Sequence, residues 1–173
     1  LTHGGRDAWT VDEGGESHWN EVIAASGSND GTVSVGDDAG REDGVRADDS
    51  RFDVAAGGAY VNTGILDLTG AGNAEISGAI TTGDAGETRY DDLTLSGEGT
   101  DRVAAGGSET GDILDLTQTA EGGEPWIIEA GGSADWNEVR DAAGTNDGTI
   151  TVGTGDHPDD DGDGKADDGD FNV

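Results

Sequence analysis

The segment from Trp9 to Gly36, WTVDEGGESHWNEVIAASGSNDGTVSVG, returns without a gap from Trp126 to Gly153 as WIIEAGGSADWNEVRDAAGTNDGTITVG. Fifteen of the 28 aligned positions are identical, at a constant offset of 117. A chain that encodes one local structure twice must fit both copies into one architecture, and such periodicity marks folds built from like units. All four tryptophans lie in these two copies. After a two-residue gap the likeness continues: Asp43 to Val54, DGVRADDSRFDV, answers Asp163 to Val173, DGKADDGDFNV. Between the copies, Val54–Thr69 (VAAGGAYVNTGILDLT) matches Val103–Thr117 (VAAGGSETGDILDLT) with one residue deleted. The order is therefore repeat A (3–53), repeat C (54–69), a middle segment (70–102), repeat C′ (103–117) and repeat A′ (118–172), read as one β-rich domain over 1–173. Leu1 and Thr2 read as the tail of an ILDLT element, and Val173 as the head of another VAAGG element. That suits either a piece of a longer array or a pseudo-symmetric unit.

Locally, Trp9–Val11 and Trp126–Ile128 read as short strands that run into Gly-Gly breakers. Trp19, Val22 and Ala25 recur at helical spacing, as do Trp136, Val139 and Ala142, so each WNEV segment predicts a short helix. Asp135 and Glu138 have the form of a capping box at the second of these. Asn29-Asp30-Gly31 and Asn146-Asp147-Gly148 read as tight turns. They feed TVSVG and TITVG, which alternate with period two. GILDLTG, AEISGAI, DDLTLSG and DILDLT read as further short strands closed by glycine. The expected fold class is mainly β: a β-sandwich or jelly roll with short helices, with a right-handed parallel β-helix as the alternative.

Charge sets the milieu. The chain has 39 acidic residues against 8 basic ones, a formal net charge of −31 on 173 residues, and Lys165 is its one lysine. At low ionic strength such self-repulsion opposes a compact state. In molar salt the screening length falls to about 3 Å and the repulsion costs little. Acid-rich, lysine-poor composition of this kind resembles that of secreted repeat proteins of haloarchaea, and the resemblance implies an extracellular or cell-surface location. Hydrophobic residues make up only 31% of the chain, so the core must be thin. There is no Cys, hence no disulfide framework, and no Met, which with Leu1 at the start suggests a processed chain or an excised piece. No apolar run approaches the ~20 residues of a membrane span. A polyanion of this charge argues against nucleic acid or an anionic membrane as a partner.

The A motif resembles the opening of right-handed parallel β-helix proteins of the pectin-lyase-like class, in the pieces WTVDEGG, WNEVIAAS and DGTVSVG. The central LDLTGAGNAEISGAITTG and LTLSGEGT are similar to β-helix coils. The resemblance implies a polysaccharide ligand. Two departures stand against a full match: the cap-like motif occurs twice, and the catalytic surroundings of polysaccharide lyases and esterases are not recognisable.

The sharpest candidate site is the C-terminal HPDDDGDGKADDGDFNV. Asp159, Asp161 and Asp163 fall at positions 1, 3 and 5 of an EF-hand-like loop, Gly164 at 6, Lys165 (through its carbonyl) at 7, Asp167 at 9 and Asp170 at 12. Ca²⁺ takes six to eight oxygens, and the glycine permits the sharp turn between ligands. The loop resembles dockerin-type and thrombospondin-type calcium repeats, although it lacks the Glu at position 12 and the flanking helices of an EF-hand. The competing reading is a solvated acidic loop. In the first copy Asp43, Asp48 and Asp49 stand among Arg41, Arg46 and Arg51, with Arg51 in the place of Asp170. A guanidinium can bridge carboxylates in place of a cation, so weak calcium binding or none is expected there.

Catalytic chemistry finds no foothold in the sequence. His3, His18 and His157 sit in unlike contexts, and His18 is replaced by Asp135 in the second copy. No cysteine nucleophile, Gly-x-Ser-x-Gly elbow or phosphate-binding loop occurs. The tryptophans read as core anchors rather than as a sugar platform. The expectation is a non-enzymatic structural subunit of a filament, surface layer or matrix. It would be calcium-stabilised and assemble with itself, with strand exchange by the terminal segments Leu1–Thr2 and Phe171–Val173 as the route. The alternative is a polysaccharide-binding or polysaccharide-cleaving β-helix module.

Overall fold

The computed structural model describes residues 2–4, 9–36, 50–83, 85–120, 125–141 and 143–152. They wind into seven stacked rungs that visit three faces in turn, the seventh described on the first two faces only. Strand β1 (Thr2–Gly4) lies beside rung 1, which consists of β2 (Trp9–Val11), β3 (Glu16–Trp19) and β4 (Glu21–Ile23). Rung 2 is β5 (Gly27–Asn29), β6 (Thr32–Val35) and β7 (Arg51–Val54). Rung 3 is β8 (Ala59–Asn62), β9 (Ile65–Leu68) and β10 (Asn73–Ile76). In rungs 4 to 6 one long strand bends across two faces. These rungs are β11 (Ala79–Thr82) with β12 (Glu87–Gly97), β13 (Thr100–Val103) with β14 (Ser108–Thr119), and β15 (Trp126–Ile128) with β16 (Ser133–Arg140). Rung 7 is β17 (Gly144–Asn146) and β18 (Thr149–Val152).

Every pairing runs parallel, between the same face of successive rungs. Face 1 is the seven-stranded sheet β2-β5-β8-β11-β13-β15-β17. Faces 2 and 3 form one eleven-stranded sheet, joined through the long strands. The protein is thus a parallel β-solenoid. This matches the alternative reading and corrects the sandwich or jelly roll. The period-two alternation tells which side chains point inward but not which strand each one pairs with. The Asn-Asp-Gly turns join β5 to β6 and β17 to β18 across a corner, and in neither case do the joined strands pair with one another. Stacking also answers the thin composition, because each rung needs only a few inward side chains. On face 3 the inward row is Val22, Phe52, Ala74, Leu93, Leu114 and Val139, all at 1% exposure or less. Each such leucine or valine contributes roughly 1.5–3 kcal/mol.

No helix forms at either WNEV segment. Trp19 ends β3 and Val22 lies in β4, while Trp136 and Val139 both lie in β16. The corner between faces 2 and 3 adds one residue to the strand alternation. Inward positions on either side of the corner are therefore three apart, which imitates helical spacing. Asp135 and Glu138 are outward residues of β16 and cap no helix.

The duplication has a definite place in the stack. Trp9–Gly36 builds rung 1 and the first two strands of rung 2, and its copy builds rungs 6 and 7, five rungs further on. The copies agree in detail. Ala24 and Asp141, related by the offset, take φ of 59° and 58°, and Asn29 and Asn146 each accept from the amide two residues on at 3.0 Å. Repeats C and C′ differ, for they lie one face out of phase. Ala55–Gly58 turns from face 3 to face 1, whereas Ala104–Gly107 turns from face 1 to face 2. Both close with a bond from the fourth residue to the first, at 2.8 and 3.0 Å. Gly57 and Gly106 hold φ of 76° and 81°, the left-handed position of a type II turn. Ala-Ala-Gly-Gly is therefore a corner that serves at more than one edge of the solenoid.

Candidate functional site

The predicted calcium ligands Asp159, Asp161, Asp163, Lys165, Asp167 and Asp170 lie outside the described residues, as do Asp43, Asp48, Asp49, Arg41 and Arg46. The described strands fix where both acidic stretches attach. The chain leaves face 2 after β6 at Gly36 and returns on face 3 at Ser50, and β18 ends at the equivalent place, Val152. Both stretches therefore join the same corner, five rungs or about 24 Å apart along the axis. Arg51, the residue aligned with Asp170, donates from Nε to Asp53 Oδ1 at 2.7 Å, and its Nη2 lies 2.6 Å from Oδ2. Glu75, one rung further, is 4.0 Å away. This arginine does bridge carboxylates, those of its own strand and of β10.

The outer side of rungs 4 to 6 carries the acids Asp92, Asp112, Asp115 and Glu138. Arg140 donates from Nε to Glu138 Oε1 at 2.6 Å and lies 3.9 Å from Asp115. Partial burial holds the Asp92 carboxyl above its ordinary range, and the charge of Asp112 adds to this while Arg140 opposes it. Among the described residues no group of three or more His, Asp or Glu is arranged to hold a metal ion. His18 is exposed on face 2, alone of the three histidines in having a described side chain.

A groove of about 550 Å³ runs along the corner between faces 3 and 1, across rungs 3 to 5. Its floor is glycine and alanine, and Ser77, Ser96, Glu98 and Thr100 supply polar groups. Ser96 Oγ donates to Glu75 Oε1 at 2.9 Å, which leaves Ser77 Oγ to donate to Ser96 at 2.7 Å. A carboxylate is a poor base toward a serine hydroxyl. This array is suited to hydrogen-bonding a hydroxylated ligand rather than to attacking one.

Inside rung 5, Asp101 of β13 and Glu109 of β14 both point into the core at 2% exposure. Asp101, Tyr90 and Trp136 are the polar neighbours of Glu109, close enough to act on its charge. They are not aligned as hydrogen bonds: both Glu109 oxygens, Asp101 Oδ2, Tyr90 Oη and Trp136 Nε1 are buried without a partner. Gly111, between Tyr90 and Trp136 in the inward row of face 2, leaves room for the rings; a Cβ there would lie 2.0 Å from Tyr90 Cε2. Burial pushes the Asp101 carboxyl up, and burial together with the charge of Asp101 pushes Glu109 well up. No family model, curated protein or solved structure matches this chain.

The buried pair is sealed from substrate, so its chemistry concerns the fold. Sequence reasoning missed it, although a signal was present. Once Val103 is inward, period two turns Asp101 inward as well. The tryptophans are core residues: Trp126 and Trp136 are buried, and Trp9 and Trp19 pack against the core.

Proposed function

We propose that the protein is a non-enzymatic structural subunit outside the cell of a halophile, forming a filament, surface layer or matrix by self-assembly and stabilised by calcium. The observation that carries this reading is the repetition of rungs 1 and 2 as rungs 6 and 7 in a one-dimensional stack. A solenoid with such a period suits extension along its axis, since each unit touches only its neighbours. Among the described residues β2 and β3 at one end, and β17 and β18 at the other, pair on one side only. Their open edges offer backbone groups to another chain. The charge of −31 supports assembly in brine, where repulsion is screened. Electron microscopy in molar salt, with calcium and after chelation, tests the reading. Ordered filaments or sheets that depend on calcium are expected, and dispersed particles under both conditions would overturn it.

The groove between faces 3 and 1 favours a second reading, a polysaccharide-binding module. Its small-residue floor and the paired Ser77 and Ser96 hydroxyls are suited to a sugar chain lying along the axis. Retention by neutral polysaccharides in brine, lost on Ser77→Val, is the outcome this second reading expects.

A further inference from the structure

Carboxylates are spread unevenly over the three faces. The outward positions of face 3 include Glu21, Asp53, Glu75, Asp115 and Glu138, and those of face 2 include Glu16, Asp67, Glu87 and Asp135. Face 1 differs. Its outward row runs Thr10, Ser28, Val61 and Thr81 across rungs 1 to 4, then Arg102, Ile127 and Thr145 across rungs 5 to 7. The flanking outward residues Ala59, Ala79 and Thr100 are uncharged too. Asp101 is the one acid in these seven strands, and it points into the core. The charge of Arg102 is met by Glu129 of its own chain. The central outward rows of face 1 are thus close to neutral in a chain of net charge −31, with acids (Asp12, Asp30, Glu129 and Asp147) confined to the turns at its edge with face 2. Val61 at its middle is 41% exposed, the most exposed of the large hydrophobic side chains described.

We propose that face 1 is the surface through which two copies of this chain associate side by side. Contact through face 2 or face 3 would set like charges against each other, which opposes association. The central rows of face 1 escape that cost, which is confined there to the acids at the edge with face 2. A two-fold axis at Thr81 would set Thr81 against Thr81, Val61 against the Arg102 stem and Thr10 against Thr145, the self-complementary pattern of an isologous contact. Seven rungs about 4.8 Å apart and strands of three or four residues give a strip about 29 Å by 12 Å. Two such strips cover about 700 Å² in projection, and the relief of their side chains raises the buried area toward the roughly 1,000 Å² where specific interfaces begin. Because the centre of the contact is neutral while its edge and the rest of each copy carry negative charge, association strengthens with salt.

Sedimentation of the whole chain from low to molar salt tests this, with Thr81→Glu and Val61→Asp on face 1 and Thr110→Glu on face 2 as the charge-matched control. The wild type and T110E should dimerise increasingly with salt, while T81E and V61D associate at least about tenfold more weakly. Circular dichroism establishes that each variant keeps its strands, and Val61, being well exposed, tolerates aspartate without disturbing the core. A wild type that stays monomeric in molar salt would overturn the proposal, as would face-1 variants that associate like T110E. A monomer that adsorbs to particulate chitin in a T81E-sensitive way would also overturn it, by assigning the face to a different partner. Growth along the axis uses the open strand ends. Dimers without filaments would therefore support face 1 and sink the filament reading alone.

Discussion

Asn29 Nδ2 donates to Asn62 Oδ1 at 2.8 Å, joining rungs 2 and 3 inside the corner between faces 1 and 2. Asn62 in turn donates to the Glu87 carbonyl at 2.9 Å and to Thr88 Oγ1 at 3.0 Å. Thr88 shares a 2.6 Å bond with Thr82, so the polar line continues into rung 4. Both asparagines are fully buried. Every bond in such a line depends on its neighbours, and a missing member strands the next one in a dry interior. Asn62→Ala is expected to cost about 2–4 kcal/mol in denaturant titrations at molar salt. Asn146→Ala, at the exposed end of the stack, should cost less than about 1 kcal/mol. Equal losses would show that the buried ladder adds nothing.

Ala85 occupies the third position of the turn closed by Gly86 N to Gly83 O at 2.9 Å, with φ of 72°. At the equivalent point of the same corner in the next two rungs the chain places Gly106 and Gly131. A side chain there costs about 1 kcal/mol or more in left-handed strain, partly offset because alanine restricts the unfolded chain. Ala85→Gly should therefore stabilise the protein by about 0.5–1 kcal/mol, read as a higher denaturation midpoint with unchanged slope. A lower midpoint would mean that the turn does not strain its alanine.

Most strands were legible in the sequence, and the reason is physical. Trp9–Val11, Trp126–Ile128, the TVSV and TITV runs and the Leu-Asp-Leu segments alternate because one side of each meets a core. Pairing was not legible. Parallel stacking sets Phe52 between Val22 and Ala74, tens of residues away in the chain, and alternation carries no record of those partners. The false helices arose where a corner turns period two into a spacing of three between Trp19 and Val22. The Asn29 ladder was hidden because Asn-Asp-Gly reads equally well as a turn, and Asn29 is both turn and rung. Of the site residues, Asp101 and Glu109 stood among 39 acids, and the alternation that turns Asp101 inward with Val103 gains its meaning only once the solenoid fixes Val103 as inward.

Calcium binding should follow the second acidic stretch. In titration calorimetry at molar potassium chloride, the wild type is expected to bind one calcium tightly, and the double variant Asp161→Asn, Asp163→Asn to lose it. Arg51→Ala should leave that stoichiometry unchanged, because Arg51 is engaged by Asp53 and Glu75. Full calcium stoichiometry in the double variant would remove the ligand assignment.

Asp101 and Glu109 make the fold sensitive to alkali. Burial raises both carboxyls, and the charge of Asp101 raises Glu109 further. Between the ordinary carboxylate range near pH 4 and their elevated folded values, the native state holds more protons than the unfolded chain. Stability from this pair is then fully present below about pH 4 and is lost as pH rises through the folded values. Glu109→Gln keeps the shape and removes the titration. The variant should match the wild type near pH 4 and exceed it by at least about 1 kcal/mol at pH 8, with the gap levelling off once the pair has given up its proton. The remaining carboxylates are common to both proteins and cancel in the difference. Denaturant titrations at fixed molar salt across that range measure the gap, and a difference independent of pH would show that Glu109 ionises as freely inside the solenoid as outside it.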